Sequence, residues 1–317
     1  MTSILKIVGV VMVVGVLCVG AVVLATDFIW DSFTADTNWI TETNWDLDSS
    51  YPQNTNDNAS ITSGGNTCTL NDNSQMWVNR ISLAGASPTK RKLHVKNGTL
   101  LANKLILGDY AELDVDQNVT VLERTELSKN VWIEIAEGKQ LTAAAMGEDN
   151  AGVHIKSTST ILNLSGGGDF FAYGIEVAAT ADEGRVFKLE GGNLTIRIYR
   201  DIAIESYTGA DDRRAKFWLR SGTINWSTGG YFEMVGGASI ARRAELDLDE
   251  TTCLFRSPID YFPGYTMIDG YASIDLAAGK QFAMQRLTLG ESGAATVVKL
   301  TAGSGAVMHV DTADDCP

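Results

Sequence analysis

Residues 93–141 read LHVKNGTLLANKLILGDYAELDVDQNVTVLERTELSKNVWIEIAEGKQL. Three segments in this stretch share one pattern: LHVKNGTLL from Leu93, LDVDQNVTV from Leu113 and IEIAEGKQL from Ile133. Each places an apolar residue, any residue and a second apolar residue in order. Gly or Asn follows three positions later, and then another apolar residue. Alternation with a period of two marks a strand with one buried side. Gly and Asn tolerate the left-handed backbone that lets such a strand turn a corner.

The same pattern runs outward to the C-terminus. It recurs in LNLSGGGDF from Leu162, FKLEGGNL from Phe187, FWLRSGTI from Phe217, LDLDETTCL from Leu246, IDLAAGKQF from Ile274 and VKLTAGSGA from Val298. Glycine holds the common corner at Gly98, Gly138, Gly167, Gly192, Gly222, Gly279 and Gly303, with Asn118 and Thr251 in the other two segments. Segments recurring every 20–30 residues, each able to bury its face only against its neighbours, predict an all-β parallel β-solenoid. About nine coils at the strand spacing make a rod of roughly 45 Å. AELDVD from Ala111 and AELDLD from Ala244 are near copies, as are IEIAEGKQL and IDLAAGKQF, which suggests that a block of several coils was duplicated.

Composition agrees with this reading and excludes others. The chain has 317 residues, 31 glycines, only 5 prolines and a net charge of -14. Proline scarcity suits a ladder that needs its N–H donors. The acidity argues against nucleic-acid binding, since phosphates would be repelled. Three histidines in separate coils offer no metal-ligand spacing, and motifs for nucleophilic or phosphate chemistry are missing.

The termini differ from the coils. Lys6 followed by the uncharged apolar run 7–25 predicts a secretory signal peptide or a retained N-terminal anchor, with any membrane contact confined to that run. Residues 26–90 hold Trp30, Trp39 and Trp45 among many polar residues. They are expected to cap the first coil, with weaker strands near 58–63 and 77–84, because a solenoid end is an open sheet edge. The solenoid is expected over 91–310 and a polar tail over 311–317. Beyond the leader, Cys68, Cys253 and Cys316 form no disulfide framework.

FIW at 28–30, NW at 38–39 and 44–45, Pro52, NDNASI at 56–61, VNRISLAG at 78–85 and KLHVKNGTLLANKLILG at 92–108 together resemble secreted bacterial surface proteins with autotransporter-associated β-strand repeats. That resemblance implies a parallel β-solenoid displayed outside the cell. It carries over no catalytic residue.

Two features are candidates for binding. The residue between the paired apolar positions faces outward and gives the column His94, Asp114, Glu134, Asn163, Lys188, Trp218, Asp247, Asp275, Lys299. Asp114 beside Glu134 and Asp247 beside Asp275, extended by Asp116 and Asp249, form either a solvated acidic face or a calcium site, since calcium collects carboxylate oxygens. Trp30, Trp39 and Trp45 either pack inside the cap or present flat rings to sugars. The expected function is non-enzymatic: a secreted or cell-surface structural or adhesive protein, an adhesin-like rod that pairs with itself end to end into filaments. The rival is a β-helix that binds or cleaves cell-surface polysaccharide, which needs a basic residue close to the acids.

Overall fold

The alternation read from residues 93–141 is one face of a three-faced coil. The computed structural model describes residues 25–310 apart from 33–35, 66, 144–151, 181–183, 192–194, 199–201, 207–213, 220–222, 227–230, 249–252, 256–264, 285 and 290–295. The apolar leader, Gly192, Gly222, Asp249 and the tail 311–317 therefore lie outside the described residues.

One turn of the chain supplies three strands. Val131–Ile135 lies on the first face, Gln140–Ala143 on the second and Val153–Ile155 on the third, and Ser159–Gly166 then returns to the first. Each strand pairs in parallel with its equivalent one coil away. The first face runs from 67–70 and 91–95 through Ala111–Val115 to Tyr271–Leu276 and Val297–Ala302. The second runs from 75–78 to Val307–Val310. The third runs from Asp27–Ile29 and Asn58–Ile61 to Arg286–Leu289. The parallel ladder thus begins well before residue 91, inside the segment expected to be cap.

The expected register holds where Leu93, Leu113 and Ile133 stand side by side, and again along Phe187, Phe217, Leu246 and Ile274. It slips by two residues elsewhere. Ile133 pairs with Leu164 rather than Leu162, Leu162 with Leu189 rather than Phe187, and Ile274 with Leu300 rather than Val298. A two-residue slip keeps every side chain on its own side of the sheet, so the buried pattern survives; a one-residue slip would have inverted it.

The corners follow the same logic. Gly98, Gly138 and Gly279 adopt left-handed φ values of 82°, 70° and 71°. In the last coil the left-handed residue is Gly305 at 72°, not Gly303, which matches the slip of two. In the coil starting at Ser159 it is Gly166, not Gly167. There Gly167 and Gly168 both donate to the Ile135 carbonyl at 3.1 Å. A Cβ on Gly166 would strike that same oxygen, so no larger residue fits.

The interior is a stack of like on like. Phe187 and Phe217 lie ring on ring, with centroids 5.4 Å apart. Each such side chain stabilises the fold by about 1.5–3 kcal/mol on burial, against the entropy of ordering its coil. Where the second face turns into the third, side-chain amides form their own ladder. Asn103 donates to Asn79 at 3.2 Å, Asn79 to Asn58 at 2.9 Å, and Asn58 to Asp27 at 2.7 Å.

The N-terminal end is closed by indole rings. Trp30, Trp39 and Trp45 are completely buried. Trp45 sits edge-on to Trp30 and Trp39 at 5.2 and 5.0 Å. Its Nε1 donates to the Trp39 carbonyl at 2.7 Å, and Trp39 Nε1 donates to that of Pro52 at 2.9 Å. The sugar-facing alternative for these three residues is therefore overturned: an indole with no exposed face has nothing to stack on a ligand. The edges are also occupied. Ile29 N donates to Asp46 Oδ1 and Asp46 N to Ile29 O, while Trp39 N donates to Thr69 O.

Candidate functional site

The outward side of the first face carries the acidic pairs. Asp114 lies opposite Glu134 in the ladder, and Asp247 lies opposite Asp275, as the alternation requires. What the sequence reading missed is the lysine set diagonally against each. Lys92 faces Glu112 across the ladder and also reaches Asp114, with Nζ 2.7 Å from Glu112 Oε1 and 2.6 Å from Asp114 Oδ2. Lys216 faces Glu245 in the same way and reaches Asp247 Oδ2 at 2.7 Å. The two arrangements belong to the duplicated AELDVD and AELDLD blocks. The signal was present one coil earlier, as a lysine in the corresponding outward position of RKLHV and AKFWL.

Further cations flank each block. Lys90 pairs with Glu112 at 2.9 Å and lies over the Trp132 ring at 3.9 Å. Arg214 and Arg243 hold Glu245 at 2.7 and 3.1 Å, and Lys188 and Lys216 lie over Trp218 at 4.7 and 5.0 Å. His94 Nε2 is 2.7 Å from Asp116 Oδ2.

This geometry changes the chemistry available. The Lys92 ammonium sits between Glu112 and Asp114, and Asp116 is engaged by His94. Among the described residues no group of three His, Cys, Asp or Glu side chains is arranged to hold a metal ion. Lysines brace Asp114 and Asp247 and His94 braces Asp116, while Glu134 and Asp275 stand opposite Asp114 and Asp247 in the ladder. The lyase rival required a base near the acids, and Lys92 and Lys216 are near. Partial burial would lower the Lys92 ammonium, but the hydrogen bonds it donates to Asp114 and Glu112 outweigh that and hold it well above its ordinary value. Burial likewise works to raise Glu112, and its bonds to Lys92 and Lys90 overcome that and hold it low. A lysine locked as a cation braces two coils and cannot abstract a proton.

A second cluster lies on the third face. Glu126, His154 and Glu176 succeed one another outward in three coils. His154 Nδ1 is 2.8 Å from Glu176 Oε2, and Arg124 Nε is 2.9 Å from Glu126 Oε1. The hydrogen bond from His154 holds the Glu176 carboxyl below its ordinary value in spite of burial. Beside this pair is a cleft of about 150 Å³. No family model, curated protein or solved structure matches the chain.

Proposed function

We infer that this protein is a non-enzymatic structural or adhesive rod, exported through its apolar leader, that associates through its C-terminal end. The observation that carries this reading is the inequality of the two ends. Leu300 continues the interior stack of Leu246 and Ile274, which are fully buried, yet Leu300 is 46% exposed. Leu289, Val297 and Val307 of the last strands are exposed as well. Among the described residues, nothing pairs with the outer edges of Arg286–Leu289, Val297–Ala302 and Val307–Val310. Three parallel edges around an apolar centre form a template for strand addition.

A second copy is the partner that matches all three edges at once, because its own last coil has the same cross-section. A head-to-tail filament would need an open N-terminal edge, and there the first and third faces are taken by residues 37–39 and 44–46. Tail-to-tail contact about a twofold axis uses the same surface on both copies and closes as a dimer. The braced acids and the Lys92 ammonium held as a cation favour this structural reading over polysaccharide cleavage. Sedimentation and electron microscopy over a concentration series test it. Rods of twice the single length, appearing as concentration rises, are expected. Single rods at every concentration would overturn the assembly.

A further inference from the structure

Among the tryptophans whose side chains are described, Trp77 alone is exposed, at 41%. It stands on the second face between Met76 and Val78, which are buried, so the alternation turns its ring outward. Trp132 and Trp218 are half-buried on the first face, and ammonium groups cover their rings. Lys90 lies 3.9 Å from the first, and Lys188 and Lys216 lie 4.7 and 5.0 Å from the second. Among the described residues no cation or second ring stacks on Trp77. The ring is nonetheless held. Its Nε1 donates to Asn103 Oδ1 of the next coil, in a long hydrogen bond of 3.4 Å. Asn103 ends the amide ladder that runs through Asn79 and Asn58 to Asp27. Each amide orients the next, so the indole is placed before any ligand arrives, which cuts the ordering cost of binding.

The neighbours of the ring are uncharged. The outward positions of the first three strands on this face are Gln75 and Trp77, Thr99 and Leu101, and Thr120. Gln75 and Thr99 stand opposite each other and are exposed, and among the described residues their side chains have no hydrogen-bond partner. Toward the third face, Lys104 is matched by Glu123 at 3.6 Å and Arg80 by Asp27 at 3.7 Å. The stretch 144–151, outside the described residues, leaves from Gln140–Ala143, three strands from Trp77 and about 14 Å away at the strand spacing. A flat apolar ring beside an available amide and hydroxyl, without charge, matches one class of ligand. A sugar ring whose hydroxyls are equatorial shows only C–H bonds on its face, and these settle on the negative face of an indole. Its rim of hydroxyls exchanges hydrogen bonds with amide and hydroxyl groups. An acidic polysaccharide would be repelled by a chain of net charge -14.

We propose that the second face near its N-terminal end binds a neutral polysaccharide of equatorial sugars, with Trp77 as the stacking platform and Gln75 and Thr99 as its hydrogen-bonding flank. The site gives the adhesive reading a ligand and rests on that reading for its setting outside the cell, but it uses a surface separate from the C-terminal end. The seven tryptophans supply indole N–H signals in NMR of the isotope-labelled protein, and Trp77→Phe assigns one of them by its loss. The protein is titrated with a β-linked glucose tetramer, with a β-linked N-acetylglucosamine tetramer and, as the anionic control, with a galacturonate tetramer. A saturable shift of the Trp77 signal with a neutral tetramer is expected, with galacturonate binding at least roughly tenfold more weakly. The tighter of the two neutral tetramers identifies the sugar. Trp77→Ala should weaken binding by roughly tenfold, the size of one aromatic stacking contact, with an unchanged midpoint in urea. Trp77→Phe keeps an aromatic face and should lose less, and Gln75→Ala should lose roughly threefold. Leu300→Lys should bind sugar as the unaltered protein does, so a failure of assembly at the C-terminal end leaves this site standing. No shift with either neutral tetramer, equal binding of galacturonate, or full binding by Trp77→Ala overturns the platform. A Trp77 signal that moves with protein concentration alone assigns the ring to contact between copies and overturns it as well.

Discussion

At the N-terminal end three indoles are fully buried and two strand edges are paired, whereas at the C-terminal end an interior leucine stands almost half exposed. Both ends belong to one ladder with one inward pattern. The contrast teaches that an inward position in a solenoid buries a residue only if another layer follows it. Phe217, Leu246 and Ile274 have a coil on each side and are fully buried; among the described residues Leu300 has one on one side only. In place of the missing coil stand aromatic volume, an antiparallel bridge between Trp45 and Trp30 and a parallel one between Asn38 and Thr69.

The largest effect should come from opening the closed end. Trp45→Ala removes the ring that touches Phe28, Trp30 and Trp39 and leaves the Trp39 carbonyl without its donor. A loss of about 3–5 kcal/mol is expected in urea denaturation, as for large aromatic truncations in packed interiors. Light scattering should rise too, because the edge of Asp27–Ile29 loses its cover. If Trp45→Ala behaves like Leu300→Ala, the two ends are equivalent and the comparison fails.

Blunting the open end is the next test. Leu300→Lys places a charge on the surface proposed for self-association. Association should weaken by roughly tenfold or more in sedimentation, the scale of a central interface residue. The monomer should change by no more than about 0.5 kcal/mol, since the site is half solvated. Unchanged association would move the interface elsewhere.

A smaller effect separates the ends through their corners. Gly138 and Gly279 occupy equivalent places in IEIAEGKQL and IDLAAGKQF, share nearly the same φ, and have open space where a Cβ would go. Alanine at either therefore costs backbone strain alone, about 1–2 kcal/mol. Gly138→Ala, deep in the stack, should lower global stability by that amount. Gly279→Ala, next to the open end, should instead speed hydrogen exchange in residues 271–310 with less change in global unfolding, because coils lacking a neighbour open locally. Equal behaviour of the two variants would mean that the last coils are as cooperative as the middle.

Much of the first face was legible because its strands are long enough to show alternation and end at a glycine. LDVD and IEI declare their buried side at once, and Gly98, Gly138 and Gly279 mark where they turn. Apart from the weaker strands expected near 58–63 and 77–84, which the structure has on the third face, the second and third faces were not legible. Val153–Ile155 and Cys253–Phe255 span three residues each, too few to display a period. The slips at Leu164 and Leu300 escaped notice because a displacement of two leaves the pattern intact. The acids of the candidate site were found as a column, but their lysine partners were not. A diagonal contact depends on which residue stands opposite which, and that is known only once the register is. The tryptophans were seen as a group, yet composition alone does not tell a ring inside a cap from a ring on a surface.

The smallest effect concerns those braces, and it bears on whether the duplicated blocks near the two ends do equal work. Lys92→Met removes the cross-coil ion pairs to Glu112 and Asp114, and Lys216→Met the one to Asp247, each pair on a partly exposed face and worth about 0.5–1 kcal/mol. Glu112 carries the sharper signature. Its folded carboxyl lies below its ordinary value of 4.5, so its stabilisation is complete above pH 4.5 and is lost as pH falls through the lower folded value. Lys92 contributes at the other extreme. Its folded value is raised, so its contribution is full below 10.5 and fades only in strong alkali. Glu205 acts in the adjoining window: its raised carboxyl adds stability as pH falls from that raised value to 4.5, because the folded state binds the proton more tightly, and adds nothing further below 4.5. Acid titration of the native protein should therefore show a shallow loss of stability below pH 4.5, and Lys92→Met should flatten it. Glu205→Gln should leave that loss in place and remove only the gain that precedes it, as pH falls from the raised value towards 4.5. If Lys92→Met leaves the acid limb unchanged, the lysine seated between Glu112 and Asp114 is a passenger, and the coils near the closed end hold together by their interior alone.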